Sequence, residues 1–169
     1  MFPYYGSKLR IAKYYPKPLF DTIIEPFCGS AQFSLYGDNY KNHVILCDNY
    51  DKIIDAWRFI ILCSDKDINN LPNLKFGLDL DTLNLSTEER SLLGFYANDA
   101  SGVCKKTVTK KAESSWTYRK NLLLKNHHKT KHWKIVKDNY FNLNNMFATW
   151  YIDPPYQFGG EYYHSKSSN

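Results

Sequence analysis

Near the carboxyl end of the chain, Trp150, Tyr151 and Ile152 run into Asp153, Pro154, Pro155 and Tyr156. Aromatic and β-branched residues in succession favour a buried strand. Two consecutive prolines end it, because neither has an N–H to give to a sheet and each fixes its own φ. The stretch therefore predicts a strand that stops at a stiff turn, with Asp153 and Tyr156 held at its carboxyl end. In open parallel α/β sheets, ligands bind in the crevice at that edge.

Earlier stretches have the form of strand, loop and helix. Thr22, Ile23, Ile24, Glu25, Pro26 and Phe27 read as a buried strand. Cys28, Gly29, Ser30 and Ala31 then make a small-residue turn, and residues 32–36 open a helix. Such a turn bares backbone N–H groups that can hold a cofactor closely, although any tight strand-to-helix turn needs glycine. A second strand over residues 43–47 ends in Asp48, 19 residues after Gly29. In Rossmann-like units an acid at about that distance binds ribose hydroxyls. Asp48 and Asn49 equally read as the N-cap of a helix with apolar residues Ile53, Ile54, Trp57, Ile60 and Ile61. A third strand is expected at Lys134, Ile135, Val136 and Lys137, followed by Asp138, Asn139 and Tyr140. At the start of the chain, Gly6 and Ser7 predict a tight turn beside Lys8 and Arg10, whose plain reading is a basic loop.

Residues 64 to about 131 break this alternation. Ser86, Thr87, Glu88 and Glu89 predict a capping box for a helix running to Tyr96. Between Val103 and Lys134, nine lysines and Arg119 stand against one acid, Glu113. The chain's net charge is +5, so this segment carries about +9 and the remainder about −4, which points to a polyanionic partner for one part of the molecule. Trp116, Tyr118 and Trp133 interleave with the lysines. Cations suit phosphates and aromatics suit bases and sugars; the alternative is a solvated basic surface. His127, His128 and His132 have no cysteine or carboxylate beside them in sequence, so no metal site is expected. Cys28, Cys47, Cys63 and Cys104 lack C-x-x-C spacing, which suggests neither zinc nor a redox pair and suits a reducing cytoplasm. No signal peptide is expected, and no run approaches the ~20 apolar residues of a membrane span.

Taken in order, Pro3-Tyr4-Tyr5-Gly6-Ser7-Lys8, Glu25-Pro26-Phe27-Cys28-Gly29-Ser30, Asp48 and Asp153-Pro154-Pro155-Tyr156 resemble the Dam-type adenine-specific (N6) DNA methyltransferases. D-P-P-Y alone also serves other amino-methylating enzymes; the four motifs in this order are specific. The resemblance covers roughly residues 3–49 and 134–165, and the middle matches only in position and charge. It implies an α/β fold with a Rossmann-like sheet that binds S-adenosylmethionine. Residues 1–63 and 134–169 would form a discontinuous catalytic domain, and residues 64–133 an inserted, mainly helical target-recognition region. By the same resemblance, Tyr5 and Lys8 hold the methionine end of the cofactor, Phe27, Gly29 and Ser30 line its pocket, and Asp48 binds its ribose. Asn139 and Tyr140 fall where the family has an acid and an aromatic near the cofactor adenine; Asn139 departs from that pattern, as Ala31 departs from a common glycine. Asp153 would also stand at the cofactor. The implied partner is double-stranded DNA with a flipped adenine, met by Lys105, Lys106, Lys110, Lys111, Arg119 and Lys120. Restriction–modification in a bacterial or phage-infected cytoplasm is the implied setting, with no membrane involved.

The residue types of D-P-P-Y fit that reaction. An exocyclic adenine amine is a weak nucleophile because its lone pair is delocalised into the ring. The Asp153 carboxylate and the Pro154 carbonyl can accept its hydrogens and favour the developing positive charge. Pro155 stiffens the turn, and Tyr156 can stack on an adenine rotated out of the duplex. Transfer is then largely alignment. The plain reading of the loop is a strand terminator with a buried tyrosine.

Family members add further strands beyond D-P-P-Y. Only four strands are readable here, in the expected order 3-2-1-4, which would leave the fourth as an open apolar edge. The resemblance thus implies a chain truncated at its C-terminus, or one part of a split enzyme completed by a C-terminal fragment or second subunit. Two further readings stand beside a DNA methyltransferase. One is an inactive remnant that binds DNA without methylating it; the other is an enzyme acting on RNA or a protein amide. Asp rather than Asn at position 153, with the Lys8 motif, favours adenine in DNA.

Overall fold

The computed structural model describes residues 1–98 and 103–154. Its centre is one sheet of four parallel strands, β1 (Thr22–Glu25), β2 (His43–Asp48), β3 (Lys134–Lys137) and β4 (Thr149–Trp150). They lie in the order β3-β2-β1-β4, as the motif order predicts. β1 and β2 pair in register from Thr22 with His43 to Glu25 with Leu46. β4 is shorter than its apolar run suggests. After Trp150, only the Tyr151 N–H continues the ladder, donating to the Ile24 carbonyl at 2.9 Å, before the proline turn.

Ile23 and Ile24 are both buried, at 0% and 2% exposure. Successive strand residues point to opposite faces, so the sheet centre is covered on both sides. The crossover after β1 is short: α1 (Gln32–Leu35) is a single turn and stops where Tyr36 becomes extended. α2 (Asp51–Leu62) is longer and buries Ile53, Ile54, Trp57, Ile60 and Ile61, the predicted stripe. Its N-cap is Tyr50, not Asp48, because Asp48 still belongs to β2.

Beyond α2 come α3 (Asp65–Asn70), α4 (Thr87–Tyr96) and α5 (Lys110–Asn126). α4 begins at the predicted capping box: Ser86 Oγ accepts from the Glu89 N–H at 3.1 Å, and the Glu89 carboxylate accepts from the Ser86 N–H at 2.8 Å. This middle stretch does not hang off the sheet as a separate layer. α4 packs along α2, and Leu92, Leu93, Phe95 and Tyr96 join the same core as Ile23, Leu46 and Trp57. Phe2 wedges between the two helices, stacked on Phe95 at 4.9 Å and edge-on to Trp57 at 5.7 Å.

The expectation that Trp116 and Trp133 are available to bases is overturned. They are 3% and 4% exposed. Trp116 packs edge-on to Tyr96 at 5.3 Å, and Trp133 lies 5.7 Å from Trp57. Each neighbours lysines in sequence but faces inward. No helix among the described residues is long and apolar enough to cross a membrane.

Candidate functional site

Parallel strands bring their carboxyl ends to one edge of the sheet, and the predicted residues follow those ends. Gly29 and Ser30 follow β1, Asp48 closes β2, Asn139 and Tyr140 follow β3, and Asp153 and Pro154 follow β4. Pro155 and Tyr156 lie outside the described residues. The N-terminal loop reaches the same edge.

The turn after β1 is strained where it must be tight. Gly29 has φ +43°, and a Cβ there would sit 2.9 Å from Cδ1 of Tyr4. Ala31 also adopts the left-handed region, at φ +47°. The Gly29 carbonyl accepts from Trp57 Nε1 at 2.8 Å, and its N–H donates to Asp48 Oδ2 at 3.3 Å. Asp48 Oδ1 accepts from the Tyr50 N–H at 3.0 Å. The acid thus ties the turn after β1 to the start of α2. Burial pushes its carboxyl up to about 6, against the pull of those N–H donors.

Phe27 and Tyr140, each assigned to the cofactor site by the resemblance, lie together, with ring centroids 5.1 Å apart and planes tilted by 48°. Asn139 caps its own short turn, its Oδ1 accepting from the Phe141 N–H at 3.4 Å. Tyr5 is 37% exposed on the N-terminal loop. Lys8 bonds the Gly6 carbonyl at 2.9 Å. It also forms an ion pair with Asp153, Nζ to Oδ2 at 2.5 Å, with side chains 13% and 26% exposed. Sequence reading put Lys8 and Asp153 at one site without pairing them.

Two residues at this edge escaped sequence reading. Glu25, the last residue of β1, is 2% exposed, and its Oε1 accepts from the Ser34 N–H at 2.8 Å. It serves as a remote cap for α1, whose own N-cap residue, Ala31, offers no side-chain acceptor. Tyr151 stacks flat on Phe33 at 4.6 Å and meets Tyr15 edge-on at 5.2 Å. Burial raises its phenol above the ordinary value, and the Tyr15 hydrogen bond adds to this.

The six cations assigned to DNA divide. Lys105, Lys110 and Lys111 are exposed. Lys106 is exposed and lies 3.6 Å from Asp79. Arg119 is half-buried and donates from Nε to Ser115 Oγ at 3.1 Å. Lys120 is not part of the open charge: its ammonium bonds the carbonyls of Asn69 and Leu71 at 2.9 and 2.8 Å, at the end of α3. Lys131 does the same for α2, donating to the carbonyls of Ile60 and Cys63. His127 is buried between Asp65 and Cys63, with Nε2 2.6 Å from the carboxylate. Among the described residues no cluster of three or more His, Cys, Asp or Glu is placed to hold a metal.

No protein-family model matches this chain, and neither does any curated protein. What the chain is rests on its own residues.

Proposed function

We propose that this chain transfers a methyl group from S-adenosylmethionine to the N6 amine of adenine in DNA. The observation that carries the reading is the meeting, at one sheet edge, of the Gly29 turn, the Asp48 carboxylate, the Phe27–Tyr140 pair and the Lys8–Asp153 ion pair. The resemblance assigns each of these to the same cofactor and base.

The residues present fit that cofactor. At position 29 only glycine fits, because the Tyr4 ring fills the space of a Cβ and φ is +43°, so the tight turn that would hold the cofactor depends on it. Asp48 accepts from the Gly29 and Tyr50 N–H groups and has the Cys28 thiol at 3.9 Å, and a ribose hydroxyl would take the place of that long thiol contact. When bound, the cofactor supplies an electrophilic methyl group on a sulfonium. The chain's own part is to bind and align. Asp153 Oδ2 is the oxygen that Lys8 holds, which leaves Oδ1 to accept an amine hydrogen; the Pro154 carbonyl offers a second acceptor. Both favour charge developing on the amine. Lys8 has a second role in this reading, as the cation for the cofactor's carboxylate, and to fill it the ammonium must move from Asp153.

Labelled methyl from S-adenosylmethionine, offered with adenine-containing duplex DNA, tests the proposal. N6-methyladenine from the parent chain and not from Asp153→Ala supports it. Absence of both label and cofactor binding overturns it.

One observation favours a second reading, that the sheet is completed by another polypeptide. Leu19, Phe147 and Ile152, around β4, are 85%, 90% and 60% exposed, and apolar sheet edges invite pairing. Light scattering on the purified chain would detect self-association, and a strictly monomeric, well-behaved chain would count against it.

A further inference from the structure

The candidate site lies along the carboxyl ends of the strands, but a cavity of about 380 Å³ opens at the opposite edge of the sheet. Asp21, directly before β1, and Asn42, directly before β2, fix its place at the amino ends. Residues between Ala12 and Asp21 form one wall, and the turn that ends α1 forms the other. The volume falls within the range of small-molecule sites, roughly 300–1,000 Å³.

The apolar part of the lining is largely aromatic. Phe33 is buried and Tyr15 half-buried, while Phe20 and Tyr36 are 44% and 43% exposed. The face of an aromatic ring is electron-rich and attracts cations. The polar part consists mainly of acceptors. The side-chain NH2 of Asn39 is spent on the Phe33 carbonyl at 2.9 Å, and that of Asn42 on the Asn39 carbonyl at 2.9 Å. Those partners orient both amides, so the oxygen of each is the end left to accept. Asp38 pairs through Oδ1 with Lys41 at 3.0 Å and keeps its other oxygen. The Asp21 carboxylate has no partner among the described residues. Against these acceptors, Lys17 is the one cation in the lining.

We infer that this cavity binds a small organic cation, an ammonium, guanidinium or amidinium group on an apolar body. Its N–H groups meet Asp21 and the amide oxygens, and its body packs on the rings. An anion would find Lys17 alone to receive it, and an uncharged body would gain from the rings but little from Asp21. The inference stands apart from methyl transfer, because no residue assigned to the cofactor or the base lines this cavity.

Benzamidine is a planar cation of this class, and uncharged benzamide has nearly the same shape. Each is titrated calorimetrically into the full chain. Benzamidine binds one-to-one with a Kd of about 1 mM or tighter, and benzamide binds at least roughly tenfold more weakly. Asp21→Asn weakens benzamidine roughly tenfold, and Tyr36→Ala weakens it about threefold. Lys17→Ala removes a like charge and leaves binding equal or tighter. Glu113→Gln, at an exposed acid on α5, leaves it unchanged. Circular dichroism establishes that each variant is folded. S-adenosylmethionine is itself a cation, and at saturating concentration it leaves benzamidine binding unaltered. Any of four results overturns the inference. They are no binding of benzamidine by the parent, equal affinity for benzamide, or affinity undiminished in Asp21→Asn or diminished in Lys17→Ala. The fourth is displacement by S-adenosylmethionine, which would put the cation at the carboxyl edge and leave the methyl-transfer reading intact.

Discussion

Glu25 ends an apolar strand with a carboxyl that is almost wholly buried. Burial above all raises it from 4.5 to about 7; nearby Asp153 adds, and the bonds with Ser34 oppose. A carboxyl raised on folding binds its proton more tightly in the native chain. Its contribution to stability is therefore full at low pH and is lost as pH rises from about 4.5 to about 7. Asp48 acts in the same sense over a lower window, from 3.8 to about 6. Glu25→Gln keeps an acceptor for the Ser34 N–H and removes the titration. Urea unfolding at acid and alkaline pH should show the parent losing up to about 3 kcal/mol more than the variant between pH 5 and 8. Equal losses would mean that Glu25 is not held protonated by the fold. Gly29 makes a sharper case. Gly29→Ala combines φ +43° with a Cβ 2.9 Å from the Tyr4 ring, and should cost about 1–3 kcal/mol in the same assay. The tight turn at Gly29 and the acid that closes β2 at Asp48 were legible from their spacing. Glu25 was not, since strand alternation does not reveal that an acid is to be buried.

Helix ends explain what part of the lysine-rich stretch does in the fold. α5 buries three residues along its 17, so its apolar period is too thin to place the helix from sequence. By contrast α4 was legible from its capping box to Tyr96, and α2 by five apolar residues in phase. A lysine's partner depends on which carbonyl comes within reach, and that is a tertiary fact. Lys131 meets the last carbonyls of α2, where cations are favoured. Lys131→Met should lower stability by about 1–2 kcal/mol and leave the salt dependence of duplex binding unaltered. The opposite pattern, stable protein with a reduced salt slope, would return Lys131 to the nucleic-acid surface.

Across the whole molecule, the strand order β3-β2-β1-β4 draws both ends of the described chain to one edge. The Lys8–Asp153 pair is the bond that joins them. Motif order made this convergence readable, but not the direct contact, because a side chain's partner depends on which groups the fold brings within reach. The pair is about three-quarters or more buried on both sides, so screening is partial and a coupling of about 1 kcal/mol is expected. A double-mutant cycle over Lys8→Ala, Asp153→Ala and both together, read by urea unfolding, measures it. If Lys8 leaves Asp153 to meet the cofactor, the same cycle at saturating S-adenosylmethionine should show a coupling reduced to a few tenths of a kcal/mol. The cofactor should then stabilise the parent by more than it stabilises Lys8→Ala at the same concentration, since ligand binding adds RT ln(1 + [L]/Kd) to stability. A coupling that persists undiminished while the cofactor is bound would fix Lys8 as a brace for Asp153. Recognition of the cofactor's carboxylate would then fall to another group at the same edge.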